Sequence, residues 1–253
     1  MTLYLAFAVI LPLIVLLWTS LFGYQPPSLA VLGTAKFDAY ANLLGSANFW
    51  LAVRNTFFVA ASSAAIVTII GALLAWTVLR TDIPGRSALD FMSFMSIGIP
   101  SVIAGLAALL LYLSLPIGVY GTVWVLVLAY SYRLAVATRS SRAGLAQLHQ
   151  ELEEAADVAG AHWLGTIWRI VLPLLAPSLL ANFVLLFIIG FREFTLPVIL
   201  QSQDNTVLSV IMWTLFVSNK TADAAAVGTL IVLCVVPVIV FGRRALLGRG
   251  GQG

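Results

Sequence analysis

Residues 151–160 read Glu151-Leu152-Glu153-Glu154-Ala155-Ala156-Asp157-Val158-Ala159-Gly160, set between strongly apolar segments, and Ile170-Val171-Leu172-Pro173 follows. Leu152, Ala155, Ala156 and Ala159 recur at the i, i+3, i+4 and i+7 positions of one helical face. Three of the four are alanines, so this face is apolar yet shallow, where a core helix would carry Leu or Ile. A groove of another protein can approach such a backbone closely, which favours docking over core packing. Glu151, Glu153 and Glu154 crowd the first turn, where the helix dipole favours carboxylates, and Gly160 supplies the left-handed residue that ends a helix. The alternative is an amphipathic connector lying on lipid. Connectors of that kind carry Lys and Arg on the polar face, and this segment is acidic.

Outward from this helix the chain is overwhelmingly apolar: 61% hydrophobic and 9% charged residues, with a mean hydropathy of +1.04. Such a balance excludes a soluble domain and describes a polytopic membrane protein. Runs long enough to cross a bilayer as helix lie at Leu3 to Phe22, Leu51 to Leu79, Phe91 to Leu113, Val119 to Ala137, Leu174 to Leu200 and Ala224 to Phe241. The runs are apolar all round and do not alternate, which argues against a barrel of lipid-facing strands. The expected fold is an all-α membrane protein of six transmembrane helices with a short cytoplasmic coupling helix. It forms a single domain over residues 1–247, with the loop at about 139–173 and a flexible tail at 248–253. The first run lacks a basic flank and a clean small-x-small site, so it reads as a span and not as a cleaved signal.

Basic residues divide the two sides. Arg80, Arg86, Arg133, Arg139, Arg142, Arg169, Arg243, Arg244 and Arg249 fall on the side of the acidic helix, against Lys36, Arg54 and Lys220 on or near the other. By the positive-inside rule the acidic helix and both termini are cytoplasmic. This asymmetry also accounts for the net charge of +3, and no basic aromatic stripe points to nucleic acid.

Within the spans the one charged pair is Arg192-Glu193, in Gly190-Phe191-Arg192-Glu193-Phe194. A charge at the centre of a membrane helix costs roughly 2.5–3.5 kcal/mol on insertion scales, so neither should face lipid. Adjacent helical residues point about 100° apart, so each needs its own partner or cavity water. Two readings stand: a lining or gate of a translocation path, or an ion network that fixes the bundle. Pro100, beside Gly98 and Ile99, must bend the third span, either to widen a central path or simply as a packing feature.

Enzymatic chemistry finds no support. His149 and His162 bracket the acidic helix but do not offer the three or four convergent ligands of a zinc site. Cys234, the sole cysteine, reads as a small apolar residue in the last span, and disulfides are excluded. The only lysines, Lys36 and Lys220, follow Ala35 and Asn219, so a Gly-Lys phosphate loop is impossible and this chain does not split ATP in that manner. No cofactor is implied.

The Glu154-Ala155-Ala156 triplet with Gly160, followed by Ile170, Leu172 and Pro173, resembles the EAA loop of permeases of ATP-binding-cassette importers. That resemblance implies the type I (MetI-like) importer permease fold. It also implies a bacterial inner-membrane location and coupling to a partner ATPase through Leu152, Glu154, Ala155, Ala156, Ala159, Gly160, Ile170, Leu172 and Pro173. The implied partners are a cytoplasmic ATPase dimer, an external solute-binding protein and a second permease half: a copy, a paralogue or a fused half. Leu79-Arg80-Thr81-Asp82-Ile83-Pro84-Gly85-Arg86, Ser96-Ile97-Gly98-Ile99-Pro100 and Arg192-Glu193 look most like the ferric-iron permeases, with this chain similar to their second half. Polyamine, thiamine, phosphonate and sulfate permeases look similar over the same segments. An ion-coupled secondary transporter is the alternative of another class, disfavoured because acidic residues within spans are nearly absent.

Overall fold

The computed structural model describes residues 6–28, 30–116 and 118–249. Among them every regular element is helical, as uninterrupted apolar runs require where backbone groups cannot bond to water. A π-helical turn, Ala6–Ile10, leads into α1 (Leu11–Phe22), and the short α2 (Asp38–Leu44) precedes α3 (Ala47–Arg80). At 1.5 Å per residue α3 is about 50 Å long, well beyond a bilayer core of ~30 Å. It starts four residues before the expected span, where Ser46 leaves the extended conformation.

The third expected span is two helices, α4 (Arg86–Met95) and α5 (Ser101–Ser114). The fourth is also two, α6 (Val123–Tyr130) and α7 (Leu134–Ala146). After the acidic helix α8 (Glu151–Val158) come the single turn α9 (Trp163–Thr166), a π-helical segment (Ile167–Val171) and α10 (Leu172–Phe191). The fifth expected span stops there and resumes as α11 (Thr195–Leu200). An unforeseen helix, α12 (Leu208–Val217), lies in what the sequence read as a plain connection, and α13 (Thr221–Arg249) completes the chain. Among the described residues, three unbroken stretches are long and apolar enough to cross a membrane: Ala47–Arg80, Ile167–Phe191 and Thr221–Val240. The third, fourth and fifth spans are therefore jointed rods. Helix α13 runs one residue past Gly248, where the tail was expected to begin; residues 250–253 of that tail, and residues 3–5 of the first span, lie outside the described residues.

Packing is organised around α3. Ala52, Thr56, Ala60, Ser63, Val67, Gly71 and Ala75 are all buried along it, a stripe of small side chains that lets neighbouring backbones close in. A Cβ added to Gly71 would lie 2.5 Å from the Ala137 Cβ of α7, and one added to Gly190 of α10 would lie 3.4 Å from the Ala60 Cα. Asn182 of α10 donates to Ser141 Oγ of α7 at 3.1 Å, so the two helices flanking α3 are also tied to each other. Beyond the joints, α5, α6 and α11 share a separate core containing Val125, Leu126, Val127, Leu196 and Leu200.

The two ends of the bundle are distinct. At one, Tyr24 accepts a hydrogen bond from the Thr221 hydroxyl, and Asn55 donates to the Asp204 and Thr206 carbonyls at 2.9 and 3.0 Å. At the other, Arg80 meets the residues entering α8. Arg133 departs from the charge count made on the sequence. It lies at mid-bundle beside Ser63 and Ala64, because the fourth span breaks there and its second half continues to Ala146.

Candidate functional site

Two regions concentrate the predicted site residues. The first is α8. Its amides begin beside Glu151, Glu153 and Glu154, and Gly160 terminates it with φ +78°, the Ala161 amide bonding back to the Ala156 carbonyl at 2.9 Å. That left-handed closure is a Schellman end. Of the expected docking face, Ala156 alone is buried; Leu152, Ala155 and Ala159 are exposed, and Ala159 has already left the helix. Val158, which the face pattern did not include, is 90% exposed and extends the apolar surface of Leu152 and Ala155 at three-residue spacing. The missed signal was the i, i+3, i+6 row that Leu152, Ala155 and Val158 form once Ala156 turns inward.

Downstream, Ile170 and Leu172 are half-buried and Pro173 is exposed. The anchor of this stretch is Val171, which packs with Ala75, Leu145 and Leu175 in a small core that also takes in Trp76, Leu79 and Leu148. A π segment at Ile167–Val171 shifts the helical register just before Pro173, a local irregularity that often accompanies functional sites.

The second region is the meeting of the three joints. Glu193 caps α11, its Oε1 accepting the Thr195 amide at 3.0 Å and the Leu196 amide at 3.4 Å. Its other oxygen forms an ion pair with Arg133 at the joint of the fourth span. The side chains of Arg133 and Glu193 are 18% and 9% exposed. Ser101, the first residue of α5, stands 3.3 Å from the Tyr132 hydroxyl and accepts from Arg133 at 3.5 Å. Ser209 of α12 donates to the Glu193 carbonyl at 2.7 Å. Arg192 is exposed and makes no ion pair among the described residues, so the two members of the predicted pair do part company. Pro100 is exposed and starts α5 after a full break from Met95, a larger discontinuity than the bend expected of it. Arg133 as the partner of Glu193 was not foreseen, since Ser131-Tyr132-Arg133 contains neither Gly nor Pro to mark a break.

Between α4 and α7, toward the α8 end, a cleft of about 540 Å³ is bordered by Ser93, Arg139 and an Arg142–Asp90 ion pair at 2.6 Å. Its upper rim lies where the Ala135 amide donates to Ser96 Oγ at 3.1 Å, directly below the joints.

A family model described as the binding-protein-dependent transport system inner membrane component matches residues 67–246. The chain is 30% identical over 217 residues to a ferric transport system permease of Actinobacillus pleuropneumoniae, covering 82% of this chain and 31% of that protein. It thus spans about a third of that relative's length. A sulfate transport system permease of Salmonella typhimurium is 26% identical over 230 residues, covering 81% of this chain and 82% of its own. Among solved structures, a chain of a bacterial ABC transporter involved in alginate import superposes with a TM-score of 0.77 at 18% identity, covering 100% of this chain and 93% of that one.

Proposed function

The chain belongs to the binding-protein-dependent transport inner membrane component family, and on that footing we propose that it is the permease subunit of an ATP-binding-cassette importer, forming half of the translocation path. ATP is hydrolysed by a separate cytoplasmic ATPase dimer that grips α8, and cargo arrives on an external solute-binding protein. A second permease half completes the path. The observation that carries this reading is the exposed Leu152, Ala155 and Val158 row on a helix closed at its C-terminal end by Gly160. An exposed apolar row at helical spacing beside an acidic first turn fits a shallow groove on another protein.

In this role Leu152, Glu154, Ala155 and Val158 meet the ATPase, while Ala159 and Gly160 end the helix. Ile170, Leu172 and Pro173 brace its return into α10. Glu193, Pro100 and Arg192 belong to the path or its gate, together with Arg133. Ferric iron is the favoured cargo, supported by the named ferric relative; sulfate is the second reading, supported by the sulfate relative that matches over most of both chains.

Ala155→Trp or Glu154→Arg should abolish ATP-driven uptake into vesicles carrying the whole complex, with the permease still inserted. Wild-type uptake together with undiminished ATPase co-purification would refute the docking role. The α8 side and both termini face the cytoplasm in this proposal. With Cys234 replaced by Ser, Val158→Cys should react with a membrane-impermeant thiol reagent in inverted vesicles stripped of the ATPase and stay silent in intact cells.

A further inference from the structure

Arg80 is the last residue of α3, and its guanidinium is 11% exposed although it sits at the end of the bundle. It donates to the Leu145 carbonyl in the last turn of α7 at 3.3 Å and to the Leu148 carbonyl, two residues past that helix, at 2.8 Å. Its Nε lies 2.9 Å from Glu153 Oε1 in the first turn of α8, and a further nitrogen reaches Gln150 Oε1, the residue before that helix, at 3.4 Å. The last carbonyls of a helix have no partner within it, and a cation there also meets the negative end of the dipole. Both carbonyls accept from Nη2, Gln150 from Nη1, and Glu153 faces Nε as an ion pair without an aligned hydrogen bond, so three nitrogens of one planar group span contacts that a single ammonium nitrogen cannot reach together.

We propose that Arg80 is a positioning residue, a clamp that fastens the ATPase-docking helix to α3 and α7 so that displacement of α8 moves both. The inference rests on the docking role proposed above. The apolar cluster of Ala75, Leu145, Val171 and Leu175 lies against the same junction; it supplies cohesion, while the guanidinium fixes where α8 begins relative to α3. Without it α8 can still enter the ATPase groove, but its movement is absorbed in the hinge at Gln147–Gln150.

The test is the number of ATP molecules hydrolysed per cargo molecule imported by the complete reconstituted complex. Arg80→Gln should leave ATPase co-purification at the wild-type level and raise this ratio about tenfold, within the ordinary range of coupling between sites. Arg80→Lys, which keeps the charge but has one nitrogen in place of the three that reach the carbonyls, Gln150 and Glu153, should recover part of that loss. A purely structural role would lower yield without moving the ratio. A wild-type ratio in Arg80→Gln, with Ala155→Trp still uncoupled, overturns the clamp and leaves the docking role standing. Normal transport in both variants overturns the docking role itself. Should Arg80→Gln fail to assemble, Glu153→Gln is read instead, since it keeps both carbonyl contacts; an unchanged ratio there overturns the clamp.

Discussion

Replacing Glu193 by Gln removes one charge from a mid-bundle ion pair and almost nothing else. The amide oxygen of Gln can still accept from the Thr195 and Leu196 amides, so the cap of α11 survives. Arg133 is left with Ser101 and Tyr132 hydroxyls at 3.5 Å, too distant to stand in for a carboxylate. Breaking a buried pair by removing one partner costs about 3–5 kcal/mol, whereas removing both is often nearly neutral. At 2–4 °C per kcal/mol for a chain of this size, the unfolding midpoint of the detergent-solubilised variant should fall by roughly 10 °C. Arg133→Met combined with Glu193→Gln should return most of it, giving a coupling energy of at least about 2 kcal/mol in a double-mutant cycle. Additive effects in that cycle would refute the reasoning. The same variants separate the two readings of the pair. Uptake that stays low in the restabilised double variant makes the pair a gate, and uptake that recovers with stability makes it a bundle brace.

Two further outcomes follow from packing. Gly71→Ala puts a Cβ 2.5 Å from that of Ala137 and 2.9 Å from backbone atoms, so α3 and α7 must part and the folded state should lose about 1–3 kcal/mol; Gly33→Ala, with nothing within 4 Å, should be silent, and equal melting of the two would contradict the close crossing. Asn55→Ala orphans the carbonyls of Asp204 and Thr206 at a cost of about 1–3 kcal/mol, and hydrogen exchange should rise over 201–207 while protection at 145–158 stays unchanged.

What could be read without coordinates was set by how far each signal reaches along the chain. The acidic helix was legible because its dipole and capping glycine act within ten residues, and Glu151 to Gly160 folds as they require, whereas periodicity alone chose a face that Ala156 turns inward and Ala159 leaves. The all-helical fold was legible because a solvent without water leaves the backbone only helices or closed barrels, and the apolar runs lack the alternation of barrel strands. The joints were not. Hydropathy averages over a window longer than the three residues of Ser131–Arg133 or Arg192–Phe194, so two packed half-helices look like one span. Pro100 announced a bend, since it bears on the preceding backbone directly, but not the full break from Met95 to Ser101. The partners of Arg80 and Glu193 lie 65 and 60 residues away, and no local rule selects one arginine among eleven for either role. Counting arginines by side therefore assigned Arg80 to its end of the bundle but misread Arg133, whose charge is tolerated at depth only because Glu193 reaches it.

The joints and the clamp bear on one another through α7. A force applied at α8 and passed by Arg80 reaches α3 and the C-terminal end of α7 together. Helix α3 has no interruption from Ala47 to Arg80, so it can tilt but offers no place to bend. Helix α7 begins at Leu134, one residue after Arg133, so its rotation is felt first at the joint that holds the ion pair. Glu193 belongs to a different jointed span and is held there by the α11 amides and by Ser209. Because Val59 of α3 belongs to the core of α5, α6 and α11, movement of α3 and α7 bears on that core and on the Arg133–Glu193 contact together. In the proposed mechanism a pair so placed is where a stroke at α8 is first felt within the spans. In the complete complex its disruption by Glu193→Gln should change the conformational equilibrium even when ATPase docking is untouched.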